Sequence, residues 1–508
     1  MNALRIALDP DLTLAYGPEI HWTWRTILST LGWAWIETPL SEPCDLAYTP
    51  DPGRAPLARL CVQADPLAWE RRAELRLKGL MNGRHELSLT YNGWKPPPPA
   101  LLANAAQTIC RRDLALEMFW LMTGQEERYW PQDRHGFRDY TGSIWQEQRV
   151  FDKAPASALM AWLKRTLLEL GCPPPLPPWP HGKRAAAAAG HDVDYPEVIR
   201  WLEPLRVLAR QRACGLGPAW EVAVGKRHHW HFRGWMDLEQ SLGVRSAFYF
   251  LTVRGSLVHY ALGRPDAFYD VGAAPFRAVL RELAEEGFEV GLQASYLAYT
   301  RPEKLSAEKR RLEDLLGRSV VGNHHHYWHT NPADVEETLL FHEQAGFVYD
   351  SSLNHDRYLG WRRGCATPFF PFHSKLRREI RTLQVPLGWM DDQLFRLAAN
   401  NPGDPRERLQ ALIDRAAAVE GCFVMDVHEY VFDEVLYPGW QSLYRWAWEY
   451  INRRGDFWKA TPAEIAAHWR ARYAELLASS CGLSLGSSGW AKALPSPNQA
   501  ADLPSPAL

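Results

Sequence analysis

The chain has no run of 18 apolar residues, so nothing in it reads as a membrane span. It has no excess of one charge. Lys and Arg number 57 and Asp and Glu 59, for a net charge of −2 with histidine neutral. A chain-wide basic footprint for nucleic acid is thereby excluded. Cysteine is sparse and scattered, with Cys44, Cys61, Cys110, Cys172, Cys214, Cys365, Cys422 and Cys481 forming no CxxC pair. That excludes a disulfide scaffold and fits a reducing compartment. The opening MNALRIALDPDLTL lacks a charged segment followed by a long apolar core, so no signal peptide is expected and the chain reads as cytoplasmic. There is no short-period repeat. At 46% hydrophobic and 23% charged residues, whole-chain disorder is excluded too.

What is present in excess is tryptophan, 24 residues in 508. Its faces stack on sugar rings, but it also fills cores, so the excess favours a carbohydrate ligand only weakly. The length suits about three domains of ~150 residues, or fewer if one is a barrel. Residues 1–171 alternate apolar runs (ALRIAL, CDLAYT, RLCVQA) with helical patterns (WTWRTILSTLG, DLALEMFWLMTG) and read as an α/β domain. WPQDRHGFRDY (130–140) reads as an ordered surface loop. Pro96–Pro99 form a stiff spacer, and 172–184 (CPPPLPPWPHGKR) a proline-rich linker. Residues 185–477 hold about seven strand-like runs separated by helices, the rhythm of a parallel sheet or a (β/α) barrel. Residues 478–508 turn to Ser, Gly, Pro and Ala and are expected to be a disordered tail.

In the 185–477 segment the polar residues are in phase. Apolar runs end in Asp192 and Asp194, Gln293, His324 to His326, Asn354, Asp391 and Asp392, and His428. In a barrel every strand delivers its last residues to one mouth, where active sites sit. In His191-Asp192-Val193-Asp194-Tyr195-Pro196 two carboxylates at i and i+2 can divide their roles, one holding a metal while the other stays a base. The plain alternative is a solvated turn. Asn323-His324-His325-His326-Tyr327-Trp328-His329 carries more imidazole than packing needs, and imidazole with carboxylate suits Zn²⁺ or a similar ion. On a strand, His324 and His326 share a face and His325 opposes them. His228-His229-Trp230-His231 has no acid partner nearby and reads as structural. His428 ends its strand in Asp426-Val427-His428-Glu429. Arg362 or Arg363 could order a buried acid, or stand exposed.

The order of motifs HDVD, EVGLQASY, GNHHHYWH, GFVYDSSLN with GWRRG, VPLGWMDD and FVMDVHEY resembles the polysaccharide deacetylases of the NodB homology type. It resembles the branch that carries an α/β domain ahead of the barrel, over about 90% of the chain. The resemblance implies an α/β fold with a deformed (β/α)7 barrel, and removal of acetyl groups from a glycan with a divalent metal, Zn first and Co or Ni as alternatives. It implies Asp192 as the base, Asp194 as a metal-binding acid and Arg362 as the residue ordering the base. Asp391 or Asp392 tunes His428, the general acid, and His326 is a metal-side histidine. Tyr195, Gln293 and Trp328 are expected beside the substrate. One departure matters: Gln293 stands where the family offers a metal-ligating histidine, and Leu297 where a second follows. Either His324 makes up the ligand count or the metal site is degenerate. The competing expectations are a sugar-binding pseudoenzyme and a metal-dependent amidohydrolase on a non-sugar substrate. An acetylated glycan is the expected binding partner, and no nucleic acid or transmembrane segment is expected.

Overall fold

The computed structural model describes residues 3–81, 86–90, 101–103, 107–133, 136–263 and 265–480. Pro96–Pro99 and residues 481–508 of the expected tail lie outside them.

Two parallel sheets organise the chain. The first is built from β1 (Leu4–Leu8), β2 (Trp35–Glu37), β3 (Cys44–Thr49), β4 (Ala58–Gln63), β7 (Leu101–Ala103) and β8 (Thr108–Cys110), with β5 (Arg76–Met81) and β6 (Glu86–Thr90) forming a separate antiparallel hairpin. Its order is β2-β1-β3-β4-β8-β7, parallel except for β7 against β8. The helix read as ending at Gly32 runs Pro10–Leu31, and Gly32 closes it at φ 98°.

The second sheet follows the expected βα rhythm. It comprises β9 (Ala185–Val193), β10 (Ala247–Phe250), β11 (Glu289–Ala294), β12 (Gly322–His325), β13 (Tyr349–Asp350), β16 (Leu383–Gln384), β17 (Trp389–Met390) and β18 (Cys422–Asp426). β14 (Phe372–His373) and β15 (Arg378–Glu379) make a small hairpin, and β19 (Phe457–Lys459) pairs with β9. The order is β16-β13-β12-β11-β10-β9-β18-β17, all parallel. LQVPLGWMDD, read as one strand, is two short ones split at Pro386, which has no N–H for a ladder. Its front half pairs with β13 and its rear half with β18, so this one segment closes the ring. Counting it once gives seven strand segments, a deformed (β/α)7 barrel.

Alanine is a helix former, yet Ala185–Ala189 form the central strand because tertiary packing decides. Ala187 and Ala189 pack outward against the helices, while Ala186 and Ala188 face the interior. Small side chains there make room for Tyr249 and Tyr349, which hydrogen-bond through their hydroxyls at 2.8 Å. A Cβ on Gly291 would meet the Tyr249 ring at 2.4 Å, and one on Gly322 the Tyr349 hydroxyl at 2.2 Å. The barrel is thus filled below and its mouth is left for polar residues.

The two sheets share packing. Core residues around the first include Leu353, Cys365, Phe369 and Phe372 from the barrel segment. The helix Pro462–Ser480 reaches back, with Arg472 donating to the carbonyls of Ser29, Thr30 and Leu176. The proline-rich stretch 172–184 crosses this junction, held by the Trp33 indole donating to Pro173 O at 2.7 Å and by buried Trp179. No helix of the described residues is long and apolar enough to cross a membrane.

Candidate metal centre

The C-terminal ends of the barrel strands surround a cavity of about 430 Å³. Its polar residues lie in two layers.

The deep layer is Asp192 on β9, His324 on β12 and Asp426 on β18. All three are buried, and one ligand atom of each lies within 4.8 Å of the others. Asp192 Oδ1, both His324 ring nitrogens and both Asp426 oxygens have no hydrogen-bond partner among the described residues. His324 Nε2 and Asp192 Oδ1 are in ion-pair contact. The His324 ring is held from the side by stacking on Tyr249 at 4.0 Å. Burial, and then the Asp192 charge, push the Asp426 carboxyl well above the usual carboxylate range. Buried carboxylates without donors are costly, and a divalent cation is the group that offsets such a cost. Two carboxylates and an imidazole are a donor set that suits Zn²⁺ or a similar ion. These residues therefore fit a metal.

The upper layer sits at the mouth. Asp194 Oδ1 lies 3.4 Å from His326 Nε2 and accepts from Gln293 Nε2 at 3.1 Å, and Asp194 Oδ2 lies 3.6 Å from His428 Nε2. Burial opposes charge on Asp194, but His326, His428 and the Gln293 amide hold it well below the usual carboxylate range. Burial likewise opposes a charged His326, while Asp194 and Asp266 push it up to about 10. Burial opposes a charged His428, and Asp391 and Asp194 raise it well above the usual imidazole value. His428 Nδ1 donates to Asp391 Oδ1 at 2.9 Å, and its backbone N–H donates to Asp391 Oδ2 at 2.8 Å. Of the two acids left open by the sequence, Asp391 is thus the partner of His428. Asp392 pairs with Arg396 at 2.5 Å. Glu429 accepts from the Asp194 and Tyr195 backbone N–H groups at 3.0 and 3.1 Å and fixes the turn out of β9.

Asp192, Asp194, Tyr195, His326, Trp328 and His428 line the cavity, with Gln293, His324 and Asp391 directly behind them. Arg362 is not among them. It pairs with Glu127 of the first sheet's segment at 2.8 Å and donates to Asn354 O, and Arg363 meets the same Glu127 at 3.2 Å. The expectation that Arg362 orders Asp192 is corrected: a buried acid from a distant segment claims its charge. A Cβ on Gly124 would meet Arg363 Nη1 at 1.1 Å, so glycine at φ 59° is what lets that arginine in. His325, placed opposite its neighbours by strand alternation, points outward onto His342, Nε2 to Nε2 at 2.8 Å.

Three contributors escaped the sequence reading. Asp426 stands two residues before His428, the same i, i+2 spacing as Asp192 and Asp194, and that mirrored spacing was the available signal. Asp266, 3.3 Å from His326 Nδ1, comes from a loop with no pattern around it. His229, read as structural, lines the cavity, with Nδ1 3.0 Å from Tyr195 O; burial pushes it down to about 4.

No family model and no curated protein matches this chain. Among solved structures it is similar to a protein of Mycobacterium smegmatis assigned to the polysaccharide deacetylases, at 19% identity over 58% of this chain and 93% of that one, TM-score 0.39. It is also similar to Puue allantoinase (15% identity, 59% and 95%, TM-score 0.39). A third is a Pseudomonas aeruginosa PAO1 protein assigned to the polysaccharide deacetylases (17%, 59% and 96%, TM-score 0.38).

Proposed function

We propose that the protein is a metal-dependent hydrolase that removes acetyl groups from a glycan. The observation that carries this is the buried Asp192–His324–Asp426 cluster, whose Asp426 oxygens have no donor among the described residues, lying beneath a His428 ring braced by Asp391. Asp192, His324 and Asp426 would hold the ion, which exchanges the roles expected for Asp192 and Asp194. When bound, a divalent ion supplies Lewis acidity toward a carbonyl and lowers the pKa of water. Asp194, kept ionised by His326, is the proton acceptor on the cavity side. Its proton affinity is low, so it accepts only from a donor already made acidic. As a water oxygen adds to the acetyl carbonyl carbon, Asp194 takes a proton from that water; His428, kept protonated by Asp391, then gives its proton to the departing nitrogen, so the C–N bond breaks to acetate and a free amine. Each proton-transfer group contributes ~10²- to 10⁴-fold in rate. Tyr195, Tyr327, Trp328, Tyr430 and Tyr437 give the mouth the aromatic faces that sugar rings stack on. Gln293 in place of an imidazole favours a second reading, a sugar-binding protein without chemistry.

The test is metal content of the purified chain by mass spectrometry together with acetate release from acetylated oligosaccharides, with and without a chelator. Stoichiometric metal and chelator-sensitive acetate release are expected. Bound metal without acetate release would favour the binding protein, and release only from non-sugar amides would overturn the glycan assignment.

A further inference from the structure

The wall of the cavity mouth has an outer face that the proposed chemistry does not use. The helix Glu203–Gln211 lines the cavity with Glu203, Arg206 and Arg210, and the short helix Leu257–Ala261 lines it with Tyr260. The same two helices and the turns that flank them, with the neighbouring helix Leu216–Ala223, present large apolar side chains to solvent. Trp201, Leu216, Trp220, Val258 and Leu262 are each 66–68% exposed, and Leu205 is 59% exposed. So many large apolar side chains in water around one opening mark an interaction surface.

The charge among them identifies what they meet. Residues 197–227 hold six basic side chains (Arg200, Arg206, Arg210, Arg212, Lys226, Arg227) and three acidic ones (Glu197, Glu203, Glu221), net +3 in a chain whose total is −2. Arg200, Arg212 and Lys226 are exposed and form no ion pair among the described residues. Tryptophan and leucine interleaved with free cations on short amphipathic helices is the composition of an element lying in the plane of an anionic bilayer surface.

We propose that this lip docks the protein on an anionic membrane surface, with the cavity mouth opening toward the headgroups, and that the acetylated sugar it acts on is carried on a lipid. The last clause rests on the hydrolase reading above, whereas the docking does not. Cys214, exposed between the two helices, is a natural reporter. The full chain carrying Cys481→Ser is labelled at Cys214 with an environment-sensitive fluorophore and mixed with phosphatidylglycerol–phosphatidylcholine vesicles or with phosphatidylcholine alone. A blue shift and co-sedimentation with the anionic vesicles, weakened by salt, are expected. The combined Trp201→Ser, Leu216→Ser and Trp220→Ser variant should bind them about tenfold more weakly. On an N-acetylhexosamine glycolipid held in the anionic vesicles that variant should lose rate by a similar factor, with unchanged acetate release from a soluble acetylated oligosaccharide. Equal binding to both vesicle types, or an unaltered variant, overturns the docking. So does light scattering that shows a dimer which the variant dissolves, because the lip would then belong to a second copy. Anionic docking with equal losses on both substrates overturns the lipid-carried substrate. Absence of acetate release from every substrate removes the hydrolase reading and leaves the vesicle result to stand or fall separately.

Discussion

In the first sheet, β1, β4 and β8 each lead into an aspartate, and the following helix absorbs it. Asp9 accepts from Asp11 N at 3.0 Å, Asp65 from Ala68 N at 2.9 Å and Asp113 from Leu116 N at 2.8 Å, each as an N-cap. Asp9 also meets Thr49 and Arg54, and Asp113 accepts from Tyr48. In the barrel, β9 and β18 deliver Asp192 and Asp426 to the same edge, and no helix N-terminus takes them up. They face one another and His324 instead; Asp192 contacts the His324 ring, and neither Asp426 oxygen has a hydrogen-bond donor among the described residues. An aspartate at the carboxyl end of a parallel strand is therefore not a functional signal alone. The discriminating feature is whether backbone N–H groups downstream satisfy it.

Three changes test that contrast. The largest effect is expected for Asp426→Asn. It should abolish stoichiometric metal and, with it, the metal-dependent acetate release. Compared as chelator-treated, metal-free proteins, its melting temperature should hold or rise, because a buried acid without donors is removed. Retained metal would break the deep-layer assignment. The second change contrasts two buried acids. Asp194 has imidazoles beside it and stays ionised, whereas Asp113 has no such cation and burial raises it to about 7. A folded pKa above the unfolded value gives stability that is present below ~4 and lost as pH rises toward 7. Denaturant titrations of Asp113→Asn should flatten that decline whatever the change costs at acid pH; an unchanged slope would refute it. The smallest effect is expected for Asp65→Ala, about 1 kcal/mol of stability from the lost cap, with metal content and acetate release unmoved.

The barrel was legible because its strands are short apolar runs that end in polar residues at one edge. Asp192, Asp194, His326 and His428 fell into phase from that pattern, and the structure does set them around one mouth. What was not legible came from partners far away in sequence. Glu127 lies 235 residues before Arg362, and no local spacing announces that they meet. The depth of each layer was hidden as well. Alternation says which face of a strand a residue occupies, but the register between strands and the stacking of Tyr249 on His324 decide which of Asp192 and Asp194 meets His324.

Local chemistry along the chain was sufficient for the succession of strands and helices, the helix stop at Gly32 and the strand-end clustering of acids and imidazoles, because each depends on neighbours within a few residues. Closure of the ring through the split segment 383–390, the capture of Arg362 by Glu127 and the meeting of Asp192 with Asp426 depend on how distant strands are brought together. Electrostatics and desolvation act through space, so those outcomes exist only once the chain has folded.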